Sequence, residues 1–159
     1  MSNQKIVIKK IEPVHVLSIR QKLSGPGEVA SLMGQSFGAL LASQIGVTGQ
    51  PLAIFYDQDF KPTDLDVEIA FPVAPLVNKP APIDAERKLS PRNLPGIEQA
   101  ACLIHHDVFE KLPETYQALG DWIATNGYRV AGPYREVYLS PPDQEGKAMT
   151  EVQCPVEKS

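Results

Sequence analysis

Cysteine is scarce: only Cys102 and Cys154 occur in 159 residues. They stand far apart and match no zinc-ligand spacing. The opening MSNQKIVIKKIEPV has no apolar leader core, so both read as reduced core thiols in a chain expected in the cytoplasm. No run approaches the roughly 18 apolar residues of a membrane helix. A basic stripe is missing too: 15 Lys and Arg stand against 19 Asp and Glu, a net charge of −4, which argues against direct nucleic-acid binding. Histidine is limited to His15, His105 and His106, and the adjacent pair faces opposite ways on a strand, so no metal site forms. Gly25, Gly27, Gly34 and Gly38 do not spell a phosphate loop, because no strand leads into a G-x-G-x-x-G pattern. No cofactor is expected.

What is present suits one soluble α+β domain over 1–159, with 43% hydrophobic and 21% charged residues. Residues 5–22 read as two short strands around Glu12-Pro13. Pro26 and Glu28 open a helix with Val29, Leu32, Met33, Phe37, Leu40, Leu41 and Ile45 at near-helical spacing and Gly46 to stop it. GQPLAIFYD (49–57) is a strand, then a turn holds Pro62, and LDVEIAFPV (65–73) alternates Val67, Ile69 and Phe71 against Asp66, Glu68 and Ala70. Residues 74–96 are proline-rich and charged, mainly a connector. The pattern then restarts. GIEQAACLIHH is a strand. A helix over Val108–Asn126 carries Phe109, Leu112, Tyr116, Leu119, Trp122 and Ile123, with Asp107 and Gly127 as caps and Pro113 as an alternative start. The strands GPYREVYL (132–139) and KAMTEVQCPV (147–156) follow.

Repeat one (about 5–73) and repeat two (about 97–156) are thus the same strand-helix-strand-strand unit. Setting Pro51 on Pro133 places Ile54 on Glu136 and Tyr56 on Tyr138, and Glu68 through Val73 matches Glu151 through Val156. With a helix on one face of each layer, the opposite sheet faces are free to meet in a groove. In GPYREVYL, Val137 and Leu139 share the face expected under the helix, while Tyr134, Glu136 and Tyr138 share the other. From spacing alone, Glu136 is either a solvated strand glutamate or an acid facing the groove. Tyr56 and Tyr138 are either ordinary amphipathic packing or stacking surfaces. Trp122, beside Leu119 and Ile123, reads as core that reaches the groove edge, and Glu68 and Glu151 as solvated or groove-side acids.

Leu94-Pro95-Gly96, the strand ending in His105-His106, the helix with Leu119, Trp122 and Ile123, then Asn126-Gly127, Gly132-Pro133 and Glu136-Val137-Tyr138 resemble the GyrI-like small-molecule-binding family, also called the AraC effector-binding domain. Asp66 through Val73 adds to the likeness. The resemblance covers nearly the whole chain. It implies a pseudo-twofold pair of units with a ligand groove between them, and a stand-alone member, since no length remains for a DNA-binding domain. It puts a ligand-facing acid at Glu136. The implied function is binding of a hydrophobic, aromatic molecule, with cations among the candidates, lined by Glu136, Tyr138, Tyr134, Tyr56, Ile54, Trp122 and Glu68. Whether the chain is an enzyme stays open. One alternative is a hydrolase that opens a strained electrophile such as a cyclopropane-bearing cytotoxin, with Glu136 as general base. Another is a module that docks on a protein partner or pairs as a homodimer.

Overall fold

The computed structural model describes residues 5–57 and 63–159; the turn expected around Pro62 lies outside the described residues. In chain order the elements are β1 (Val7–Ile11), β2 (Val14–Leu23), α1 (Gly27–Ala42), β3 (Leu52–Phe55), β4 (Leu65–Pro72), β5 (Ala81–Pro82), β6 (Lys88–Leu94), β7 (Ile97–Asp107), α2 (Leu112–Thr125), β8 (Tyr128–Val130), β9 (Tyr134–Tyr138) and β10 (Ala148–Lys158). They form two compact units. A continuous unit spans Pro13–Pro95, and a composite unit joins Met1–Glu12 to Gly96–Ser159. The composite unit takes its first strand from the chain start: β1 pairs antiparallel with β7, which pairs with β10, which pairs with β9 and, at its end, β8. In the continuous unit the order is β3-β4-β2-β6-β5, again antiparallel.

The segment 74–96 is therefore more than a connector. It holds β5 and β6, and β6 completes the continuous unit beside β2. Its prolines disguised it. Pro91 sits opposite Leu17, and β5 covers only Lys88 and Leu89, so Pro91 falls where β6 lacks a second neighbour, the setting in which strands tolerate proline.

Each unit runs strand, helix, strand, strand, and the register fixes how they correspond. The β3–β4 pairs Leu52↔Ala70, Ala53↔Ile69, Ile54↔Glu68 and Phe55↔Val67 become the β9–β10 pairs Arg135↔Gln153, Glu136↔Val152, Val137↔Glu151 and Tyr138↔Thr150 when 83 is added to every number. The glycines agree. A Cβ on Gly49 would stand 3.2 Å from Pro72, and one on Gly132 would stand 3.1 Å from Pro155. The match of Pro51 to Pro133 is thus one residue out of step. Glu136 corresponds to Ala53, not Ile54, and Tyr56 corresponds to Leu139, not Tyr138. A one-residue slip moves a side chain to the other face of a sheet, so the correction matters for the site.

The helices depart from expectation at their ends. α1 stops at Ala42, before Gly46. Gln44 adopts a left-handed φ of 58°, and the Ile45 amide closes on the Leu40 carbonyl. Its buried line is Val29, Leu32, Ser36, Ala39 and Leu40. Phe37 and Leu41, expected in the core, are 45% and 62% exposed, because the apolar arc of the helix is wider than the strip it buries. Asp107 does not cap α2. Its carboxylate accepts from the Val108 amide ahead of a short 3-10 turn, and α2 begins at Leu112 with Pro113 in its first turn. Gly127, at φ 82°, ends α2 as expected. β8 was not foreseen. Both cysteines are free and buried, and burial pushes the Cys102 thiol up to about 12 and the Cys154 thiol up to about 11. No helix among the described residues is long and apolar enough to cross a membrane.

Candidate functional site

In β9 the faces are the reverse of the expected ones. Glu136 pairs with Val152, and Val152 clusters with Leu119 and Ile123 of α2. Glu136 therefore lies under the helix, while Val137 and Leu139 take the opposite face and are only half-buried. Alternation in a five-residue strand fixes two faces but not which is inward, and a carboxylate between two phenols looked like the outer one.

Glu136 is 7% exposed. One oxygen accepts a hydrogen bond from the Tyr116 hydroxyl of α2 at 2.6 Å, and the other accepts from the Tyr138 hydroxyl at 2.7 Å. Tyr134 packs beside them, its ring edge-on to that of Tyr116 at 5.1 Å between centroids. Burial raises the Glu136 carboxyl above its ordinary range. The two phenol hydrogen bonds and the nearby His105 pull the other way without overcoming it. Both tyrosines in turn are pushed well up, first by burial and then by the charge of Glu136. Among the described residues no lysine or arginine forms an ion pair with this acid. Thr150, cross-strand from Tyr138 on the same face, is fully buried, and its hydroxyl has no hydrogen-bond partner among the described residues. His105 is satisfied: one ring nitrogen meets the Thr115 hydroxyl and the other the Val108 carbonyl.

Glu68 belongs to the continuous unit. Phe71 meets Phe37 of α1, so Glu68, one position out of phase, is on the face of β4 away from that helix. It is 4% exposed and not a solvated strand residue. Ser18, Tyr56 and Arg92 all donate to it. Burial alone would raise its carboxyl; these hydrogen bonds and the Arg92 charge together hold it below the ordinary range. Arg20 lies 3.6 Å above the Tyr56 ring and grips Asp66 through two nitrogens. Ser18, Arg20, Tyr56, Glu68 and Arg92 line an open concavity of about 830 Å³ together with Glu86, Arg87, Lys88 and Ser90.

The expected site residues thus separate. Glu136, Tyr138 and Tyr134 come together in the composite unit, and Tyr116 joins them. Tyr56 and Glu68 come together in the continuous unit, with Ile54 buried cross-strand from Glu68. Trp122 stacks on Tyr128 at 6.0 Å and packs on the composite core. Glu151 is held by Lys9 of β1 at 2.8 Å. Among the described residues no cluster of three His, Cys, Asp or Glu side chains suits a metal ion.

Residues 4–157 match the GyrI-like small molecule binding domain. The chain belongs to this family. No curated protein sequence matches it. Among solved structures, the EcmrR C-terminal domain superposes with a TM-score of 0.82 at 24% identity over 99% of both chains. EcmrR in its DNA complex gives 0.87 at 22% identity; all of this chain is covered, but it spans only 59% of that one. SAV2435 bound to tetraphenylphosphonium gives 0.61 at 12% identity, over 96% of this chain and 94% of that one. At these identities the likeness shows the fold.

As a GyrI-like small-molecule-binding domain, the chain carries two buried acids with different surroundings. Arg92, Ser18 and Arg20 carry little sequence signal, because the proline of β6 makes that strand resemble a connector and β2 displays only a hydrophobic pattern. Tyr116 was assigned to a helix side but not to the acid. Its i, i+3 spacing to Leu119 on a helix facing the strand of Glu136 was the available signal.

Proposed function

We propose that this GyrI-like domain binds a hydrophobic, aromatic, cationic small molecule at Glu136. The observation that carries the reading is a carboxylate 7% exposed, held by two phenols and by no basic side chain among the described residues. An ion in such a place costs several kcal/mol unless a counter-charge meets it. A ligand cation is that counter-charge, and the rings of Tyr116, Tyr134 and Tyr138 offer stacking and cation–π faces of about 0.5–2 kcal/mol each. The unused Thr150 hydroxyl adds a polar contact on the same face. That SAV2435 was solved with tetraphenylphosphonium, a cation of this class, supports the choice.

Calorimetry with tetraphenylphosphonium and with neutral triphenylphosphine oxide tests this. In Glu136→Gln the cation should lose about 1.5–3 kcal/mol, roughly 10- to 150-fold in affinity, while the neutral compound changes little. Equal losses for both compounds, or none for either, would overturn it.

A further inference from the structure

We propose that the concavity of the continuous unit is a second ligand site, for a flat aromatic carboxylate. Arg20, Arg87, Lys88 and Arg92 line it with Glu68 and Glu86, while Asp66 and Asp84 pair with Arg20 and Arg87 from beside it, so four basic groups meet four acids and what distinguishes the basic groups is the N–H donors they keep open. The buried Glu68 needs no external cation, because Arg92, Ser18 and Tyr56 already answer it. The basic side chains still have capacity. Arg20 uses Nε and Nη2 on Asp66; Arg92 uses the same two nitrogens on Glu68 and Tyr56; Arg87 uses them on Asp84 and Gln35. In each guanidinium the Nη1 group makes no hydrogen bond among the described residues, and each such group carries two N–H donors. The Lys88 ammonium has no hydrogen bond or ion pair among the described residues.

Two further features narrow the ligand. The Arg20 guanidinium is seated 3.6 Å above the Tyr56 ring, so a planar cation already fills the face that a cationic ligand would want. A guanidinium stacks on both of its faces, and the outer one is a platform for a flat ring. A carboxylate on that ring then meets the Nη1 groups and Lys88. Sharing Arg20 and Arg87 costs little, because their present partners Asp66 and Asp84 are in half-exposed surface pairs, which water screens. At about 830 Å³ the space is in the range of small-molecule sites.

The test is calorimetry of the full chain with 2-naphthoate, beside 2-naphthalenemethanol as the neutral arm and tetraphenylphosphonium as the competitor. The expected result is saturable 1:1 binding of naphthoate, at least tenfold tighter than the alcohol and weakened by added salt. Arg20→Gln should weaken it tenfold or more and Lys88→Gln several-fold. Both are solvent-facing changes whose folding is checked by thermal melts. Glu136→Gln and tetraphenylphosphonium should leave it unchanged, which separates this site from the one proposed at Glu136. The inference is overturned by absence of saturable binding, by equal affinity for the alcohol, by affinity unmoved in both variants, or by competition from tetraphenylphosphonium.

Discussion

Replacing Glu136 by glutamine should remove the ligand's charge partner without weakening the fold. The magnitude follows from two opposing sums. An ionised carboxylate taken into the protein costs several kcal/mol even after relaxation. Two phenol hydrogen bonds to a charged acceptor return about 1.5–3 kcal/mol each. These nearly cancel, and the raised carboxyl pKa shows that burial prevails. Glutamine abolishes the ionic penalty. Its carbonyl still accepts from one tyrosine, and its amide donates to the oxygen of the other. At pH 7, Glu136→Gln should therefore equal wild type or exceed it by about 1–2 kcal/mol. For a chain of this size the gain is roughly 2–8 °C in melting temperature. The pH dependence has a definite sign. A carboxyl raised in the folded state contributes stability that is fully present below its unfolded pKa, near 4.5, and is lost as pH rises through the folded value. Wild type should lose ground to the variant from acid toward neutral pH, and the gap should close near pH 4. Melting curves of both proteins from pH 4 to 8 measure this. A variant that melts 5 °C or more below wild type at pH 7, or a gap that does not vary with pH, would make Glu136 a structural acid and refute the reasoning.

Arg92→Met leaves Glu68 buried with only Ser18 and Tyr56. Breaking a buried pair costs about 3–5 kcal/mol, but the Arg92 side chain is 39% exposed, so a loss of about 1.5–3 kcal/mol is expected in urea unfolding; a loss below about 0.5 kcal/mol would show the pair to be idle. Because Glu68 is depressed, its contribution is present above the unfolded pKa and lost as pH falls through the folded one, so the variant should also be less sensitive to acid. Gly132→Ala would set a Cβ 3.1 Å from the rigid ring of Pro155, and Gly49→Ala one 3.2 Å from Pro72. Each should destabilise by about 1–3 kcal/mol, and neutral substitutions would count against the shared register.

Legibility followed the length of the pattern. The two helices and the strands β2, β4, β7 and β10 announce themselves because each runs long enough for periodicity to repeat. The family was legible because its motifs recur along the whole chain. β6 was hidden because KLSPRNL carries a proline that an interior strand would refuse and an edge accepts. The facing of Glu136 was hidden for a different reason. A strand tells which residues share a face, and only a tertiary contact tells which face is inward. Here that contact is Tyr116, twenty residues upstream. Pro51 is a misleading anchor for the same alignment, since proline follows the constrained glycine by two residues at Gly49 but by one at Gly132.

The corrected register also separates what the fold needs from what a ligand needs. Adding 83 turns Glu68 into Glu151 and Lys9 into Arg92, and the ion pairs follow: Arg92 holds Glu68 at 3.0 Å, and Lys9 holds Glu151 at 2.8 Å. In each unit a basic residue on the added strand, β6 or β1, meets an acid on the last strand of the repeat. A feature present in both units at matching positions is accounted for by the fold they share. Glu136 has no such counterpart. The matching position is Ala53, fully buried, which asks for no partner at all. Arginine or lysine could have been placed against Glu136 as it was against the other two acids, and among the described residues neither was. The two phenols hold the carboxyl group in place. An acid that is buried, oriented and given no basic partner, on one unit only, is what a site requires if its cation arrives from solution.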